Sequence, residues 1–118
     1  MVPDIPASGS ELVKRGDLVT VALPGYYGKP RPALVVQSDA FSGMESVIVA
    51  PLTSTVGRLP LVRVLIAPHE ENGLRKPSDV MVDKLNTLPV SKVGARFGFV
   101  DQATIDSVSD AIRGFLDL

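Results

Sequence analysis

Arg31 stands between Pro30 and Pro32, and further along the chain three hydroxyl side chains, Thr53, Ser54 and Thr55, follow an apolar run. A guanidinium carries five donors in a rigid planar fork, stays charged at neutral pH and matches the geometry of a phosphate. The flanking prolines deny Arg31 a helical setting, and Pro32 pushes its backbone toward an extended conformation. Hydroxyl groups in a turn add O–H donors, and the backbone N–H groups of the turn can bind an anion. Together these residues would hold a phosphodiester and stabilise charge developing on it. If the diester is RNA, its own 2′-OH is the nucleophile, so positioning and electrostatic stabilisation carry much of the chemistry. The same residues also fit a plainer reading, in which Arg31 opens a strand with a surface ion pair and Thr-Ser-Thr is turn chemistry alone. Residue types by themselves leave both open.

Other mechanisms are excluded by what the chain lacks. His69 is its only histidine, so no two-histidine acid–base pair exists within one chain, and cysteine is absent. His69 lies in a polar stretch beside Glu70 and Glu71 and is expected to be a solvated surface residue. Nothing has the ligand density of a zinc site, and neither a glycine-rich phosphate loop nor a nucleophile elbow is present. Neither metal nor cofactor is expected. The net charge is −1, which alone argues against a nucleic-acid binder. Its distribution reverses that argument: residues 14–100 hold eleven of the twelve Lys and Arg but seven of the thirteen Asp and Glu, an excess of four positive charges. A basic body between acidic ends can present a positive face to phosphate.

The elements that must position these residues follow from the apolar pattern. Residues 18–23 read as a strand ended by Pro24-Gly25, and residues 33–36 and 47–50 as buried strands. Asp39 is placed to cap a short helical turn through Ala40 and Phe41. Residues 61–66, 79–83 and 85–88 continue the strand pattern around a polar excursion, 68–77, that contains Asn72-Gly73. Gly94 and Gly98 are expected to break the next segment into turns. From Asp101, a plausible helix cap, Ile105, Val108, Ile112, Phe115 and Leu116 fall on one stripe of a helix of about four turns. Short strands with turn punctuation and one closing helix predict a compact antiparallel barrel. One domain is expected, over residues 14–118, behind a flexible leader, 1–13. That leader has neither a basic nor an apolar signal region, and no apolar run approaches the ~20 residues of a membrane span. The cytoplasm is the expected compartment.

In order along the chain, Lys14-Arg15-Gly16-Asp17-Leu18-Val19, Lys29-Pro30-Arg31-Pro32-Ala33-Leu34-Val35-Val36, Pro51-Leu52-Thr53-Ser54, Glu71-Asn72-Gly73-Leu74 and Val80-Met81-Val82-Asp83-Lys84 resemble the MazF/PemK toxin family. The resemblance runs from about Lys14 to the end of the chain. It implies a mainly β fold, an SH3-like barrel of the CcdB/PemK type with a C-terminal helix, acting as a homodimer and held inactive by a cognate antitoxin. It implies metal-independent, sequence-specific cleavage of single-stranded RNA to 2′,3′-cyclic phosphate and 5′-OH ends. Arg31 and Thr53 match the family's catalytic arginine and threonine, and Ser54 an adjoining position. Asp83 matches a carboxylate proposed as general base in one branch; that branch has an arginine two residues earlier, where this chain has Met81. Lys29, Ser54, Thr55, Asp83 and Tyr27 are expected to contact the RNA, Tyr27 by stacking on a base, although core or dimer packing would suit Tyr26 or Tyr27 equally. The alternative is a gyrase-poisoning toxin of the same fold, as CcdB is. That action is associated with a terminal Trp-Gly-Ile, whereas this chain ends Phe115-Leu116-Asp117-Leu118 and has no tryptophan.

Overall fold

Among the described residues, seven strands form one antiparallel sheet, and one α-helix closes the chain. The structure, a computed structural model, describes residues 13–23, 25 and 29–118; residues 1–12 of the expected leader and Tyr26 and Tyr27 lie outside the described residues. The strands are β1 (Asp17–Ala22), β2 (Pro30–Val35), β3 (Ser46–Thr53), β4 (Arg63–Ile66), β5 (Ser78–Met81), β6 (Asn86–Pro89) and β7 (Val93–Phe99), followed by α1 (Gln102–Leu116). The sheet runs β4-β5-β3-β2-β1-β7, with β6 also paired to β3. This is the expected barrel-type architecture with a C-terminal helix. Among the described residues, no helix is long and apolar enough to cross a membrane.

The apolar runs in β1, β2 and β3 are continuous because both faces of these strands are buried. Leu18, Leu34, Ala50 and Leu52 join one core cluster with Val80, Val82 and Val108. Their neighbours Val19, Val21, Ala33, Val35, Val47 and Val49 join a second with Leu88 and Val93. Successive side chains on a strand point to opposite faces, so alternate residues feed opposite clusters. The helix packs on β4 and on the turn after β5, with Val108 fully buried at the contact.

Along the edge of β3 away from β2, β6 pairs with the first half (Val47↔Leu88) and β5 with the second (Leu52↔Val80). Between them Val82–Lys84 leaves the ladder as a turn of 3-10 helix. The strand expected over 79–83 is therefore cut short at Met81, and the interruption lifts Asp83 and Lys84 out of the sheet.

Four further details depart from the sequence reading. Residues 93–99 form β7 rather than turns: β7 pairs with β1 through an irregular register. Gly94 and Gly98 serve close approach there, since a Cβ would meet Thr20 Oγ1 at 2.7 Å and the Asn72 carbonyl oxygen at 2.4 Å. The short turn Asp39–Phe41 is capped by Ser38, whose hydroxyl accepts from Ala40 N. Asp39 instead accepts from Arg15 N. The strand expected from residue 61 starts at Arg63, and Leu61 is 91% exposed. Asp101 caps α1 as expected, accepting from Thr104 N, and hydrogen bonds from the Thr104 side chain and then its backbone hold the carboxyl below the ordinary range. The apolar stripe outruns its contact, however, and Phe115 and Leu116 are exposed.

Candidate functional site

Arg31 and Thr53 belong to adjacent strands, and their position follows from pairing. β2 and β3 are in register at Ala33↔Pro51 and Leu34↔Ala50. Extended two residues past its last pair, that register carries Arg31 toward Thr53, and both line one cleft. Both sit past the end of the β2–β3 ladder, each still held on its other side, Arg31 by Val21 of β1 and Thr53 by Asp79 of β5. Thr53 is the last residue of β3. Its Oγ1 accepts from Thr55 N at 3.1 Å, the local hydroxyl–backbone bond that makes Thr-Ser-Thr a turn. With that lone pair occupied, the O–H of Thr53 is left to donate.

A cleft of about 390 Å³ opens here, lined by Arg31, Thr53, Ser54, Ser78, Arg63 and Lys84 together with apolar walls. Three of its lining side chains are cations, and among the described residues no carboxylate lines it. Arg31 and Ser54 are exposed and Thr53 is half-buried. A converging set of positive charges against partly apolar walls concentrates field on whatever anion enters.

The structure thus gathers Arg31, Thr53 and Ser54 into one cleft. Lys29 is exposed one residue before β2, Thr55 is exposed in the turn, and neither lines the cleft. Tyr27 falls outside the described residues. Asp83 stands behind the wall and is bound to a residue that the sequence reading passed over. Arg63 Nε donates to Asp83 Oδ1 at 2.9 Å and its Nη2 donates to Oδ2 at 3.0 Å. The two side chains are only 11% and 16% exposed. Hydrogen bonds from the Arg63 guanidinium hold the Asp83 carboxyl below its usual range, outweighing its burial, and the same bonds raise Arg63 further above neutrality. Arg63 lies opposite Met81 in the β4–β5 register. Position 81 carries no arginine, and the guanidinium comes from the neighbouring strand. One signal was available: an arginine in the apolar run Leu61-Val62-Arg63-Val64-Leu65-Ile66, where burial demands a partner.

The remaining motif residues hold the frame. Asp17 is buried, accepts from Lys14 N and pairs with Arg96 at 2.9 Å. Arg15 ties the Val36 carbonyl to the Ser109 hydroxyl of α1. The Asn72 carboxamide, also buried, accepts from His69 N and Leu74 N and donates to the Ala67 carbonyl. The His69 side chain is 65% exposed, as expected. Among the described residues, no three His, Asp or Glu side chains gather as a metal site would require.

Residues 14–116 match the family model described as "PemK-like, MazF-like toxin of type II toxin-antitoxin system". The chain is 37% identical over 107 residues to a "Probable endoribonuclease MazF" of Mycolicibacterium smegmatis, covering 90% of this chain and 98% of that one. Among solved structures it resembles a Mycobacterium tuberculosis toxin, MazF-mt6, at a TM-score of 0.74 and 29% identity, over 86% of this chain and 97% of that chain. A mycobacterial endoribonuclease in complex with its cognate antitoxin also aligns at a TM-score of 0.74 and 25% identity, over 90% and 96% of the two chains. The cationic cleft that holds both Arg31 and Thr53 and a match over nearly the whole described chain agree: this protein belongs to the PemK-like, MazF-like toxins of type II toxin–antitoxin systems.

Proposed function

We propose that this toxin is a metal-independent endoribonuclease that cuts single-stranded RNA in the cleft between β2 and the β3 turn. The observation that carries the reading is that Arg31 and Thr53 line one cleft, which holds three cations. Arg31 lays its fork on the non-bridging oxygens of the phosphate. Thr53 donates its hydroxyl to the same group, and Ser54 donates beside it. Held this way, the substrate 2′-OH gives up its proton to solvent water as its oxygen attacks phosphorus: the P–O2′ bond forms, the P–O5′ bond breaks, and O5′ leaves with a proton taken from solvent. The products are a 2′,3′-cyclic phosphate and a 5′-OH. The clamp aligns the 2′-O in line with the leaving oxygen and offsets the negative charge that builds on the phosphorane.

The same cleft suits regulation by occupancy. We infer that the toxin works in the cytoplasm as a homodimer, and that a cognate antitoxin covers the basic cleft and excludes RNA. The relatives named as endoribonucleases favour this reading over gyrase poisoning.

The test is cleavage of a long single-stranded RNA by purified protein in EDTA, with ends mapped by primer extension. Arg31→Ala is expected to cut at least about 100-fold more slowly, the usual loss when one oxyanion donor is removed, with its thermal unfolding unchanged. Intact RNA across many sequence contexts, together with inhibited gyrase supercoiling, would replace the nuclease reading with the gyrase one.

A further inference from the structure

The Arg63–Asp83 pair lies deeper than any other charged group of the cleft and has no part in the clamp described so far. Its geometry is one-sided. The guanidinium presents Nε and Nη2 to the two carboxylate oxygens. Two of its five N–H donors are taken by Asp83, Asp79 adds a longer-range attraction, and no further hydrogen bond to it is found among the described residues. No buried side-chain nitrogen or oxygen among the described residues lacks a partner, so the remaining edge, with Nη1, is open rather than sealed. Arg63 lines the cleft with Arg31, Thr53 and Lys84, whereas Asp83 does not.

We propose that Arg63 is a second guanidinium on the scissile phosphate, facing Arg31 across the cleft, and that Asp83 is its positioning residue rather than the proton acceptor. The inference rests on the nuclease reading above and deepens it at the same site. A carboxylate with both oxygens engaged by one fork is a poor base, because the proton it would take has to displace a charge-assisted bond. What such a carboxylate does well is fix the plane of the guanidinium. The 3-10 turn supplies it from outside the ladder, at the height where β4 delivers the arginine stem. Burial of the pair keeps the fork from rotating, so the free edge meets an incoming phosphate already oriented.

A purely structural ion pair predicts different behaviour, and the double variant Arg63→Met/Asp83→Leu separates the two. Replacing a buried pair by apolar residues of similar volume is commonly neutral for stability, so this variant is expected to unfold near the wild-type temperature. Its kcat/KM on a short RNA that the wild type cuts is expected to fall about 100-fold or more. Its affinity for the same oligonucleotide with a 2′-deoxy residue at the cut site should lose one phosphate contact, lowering the slope of log K against log salt by about 0.7. A folded double variant that cuts within a few-fold of wild type, with an unchanged slope, overturns the contact. Where the double variant does not fold, Arg63→Lys keeps the charge without the fork: at least about a tenfold loss, one bidentate contact, supports the contact and an unchanged rate overturns it.

Asp83 is tested in a cycle. Asp83→Asn is expected to slow cutting in the wild-type background but to add nothing to Arg63→Met, and to keep the acid limb of the pH–rate profile. Loss of that limb, or a full additive loss on Arg63→Met, makes Asp83 the base and overturns its positioning role. If the wild type cuts no RNA at all, the nuclease reading fails, and the salt slope on the deoxy oligonucleotide still reports whether Arg63 holds phosphate.

Discussion

Thr53 and Asp83 are each committed to a neighbour, and the two commitments have opposite effects on reactivity. The bond from Thr55 N occupies an acceptor site on Thr53 Oγ1 and leaves its O–H to donate. Thr53→Ser keeps that arrangement and is expected to retain most of the cleavage rate, whereas Thr53→Val, of nearly equal volume, is expected to lose about 10²-fold or more; initial rates on one oligonucleotide would show the difference. Asp83 carries a stability consequence as well. Its folded pKa is depressed by the Arg63 hydrogen bonds, so its contribution is present in full above the unfolded carboxylate pKa of about 3.9. It is lost as pH falls through the lower folded value. Asp83→Asn should therefore cost about 2 kcal/mol at pH 7, shrinking toward zero at strongly acid pH, as urea unfolding at several pH values would measure. That Arg31 and Thr53 belong together was anticipated from the order of the motifs around them, and the structure places both at one cleft. The Arg63–Asp83 pair was not, because the two residues are twenty apart and meet only through β4–β5 pairing.

Among the elements, β1 to β3 and α1 could be read from local pattern, and β7 could not. A strand containing Gly94 and Gly98 has the composition of a turn; only the approach of Thr20 and Asn72, from distant parts of the chain, shows why side chains are missing there. This gives a paired test on glycines of opposite meaning. Gly98→Ala would drive a Cβ to 2.4 Å from a backbone oxygen, and overpacking of this kind costs about 1–3 kcal/mol. At Gly114, within α1, a Cβ meets nothing within 4 Å, so Gly114→Ala should stabilise by about 0.5–1 kcal/mol through helix propensity. Thermal melts of the two variants should move in opposite directions. The end of α1 shows the limit of periodicity: the stripe through Phe115 and Leu116 is correct as a pattern, but the underlying sheet does not extend that far.

For the whole molecule, net charge and local field point in different directions. The chain carries −1 overall, yet the cleft is lined by Arg31, Arg63 and Lys84 without a lining acid among the described residues. Binding should therefore follow the cleft rather than the total. Three phosphate contacts on single-stranded RNA correspond to a slope of log K against log salt near −2, at about 0.7 per contact; titrations of an uncleavable RNA from low to moderate salt would give it. A slope near zero would show that the cationic lining does not meet the backbone.

Because β5 and β6 follow the same edge of β3, the three residues Val82–Lys84 amount to a spacer spliced into one long strand. Val82 pins one end of that spacer in the core, so only its outer end, Asp83 and Lys84, can vary while the walls on either side keep their registers. The domain therefore carries an adjustable latch on a rigid chassis: because Asp83 in the latch holds Arg63, changing the latch would reset how far that arginine reaches into the cleft without any redesign of the barrel.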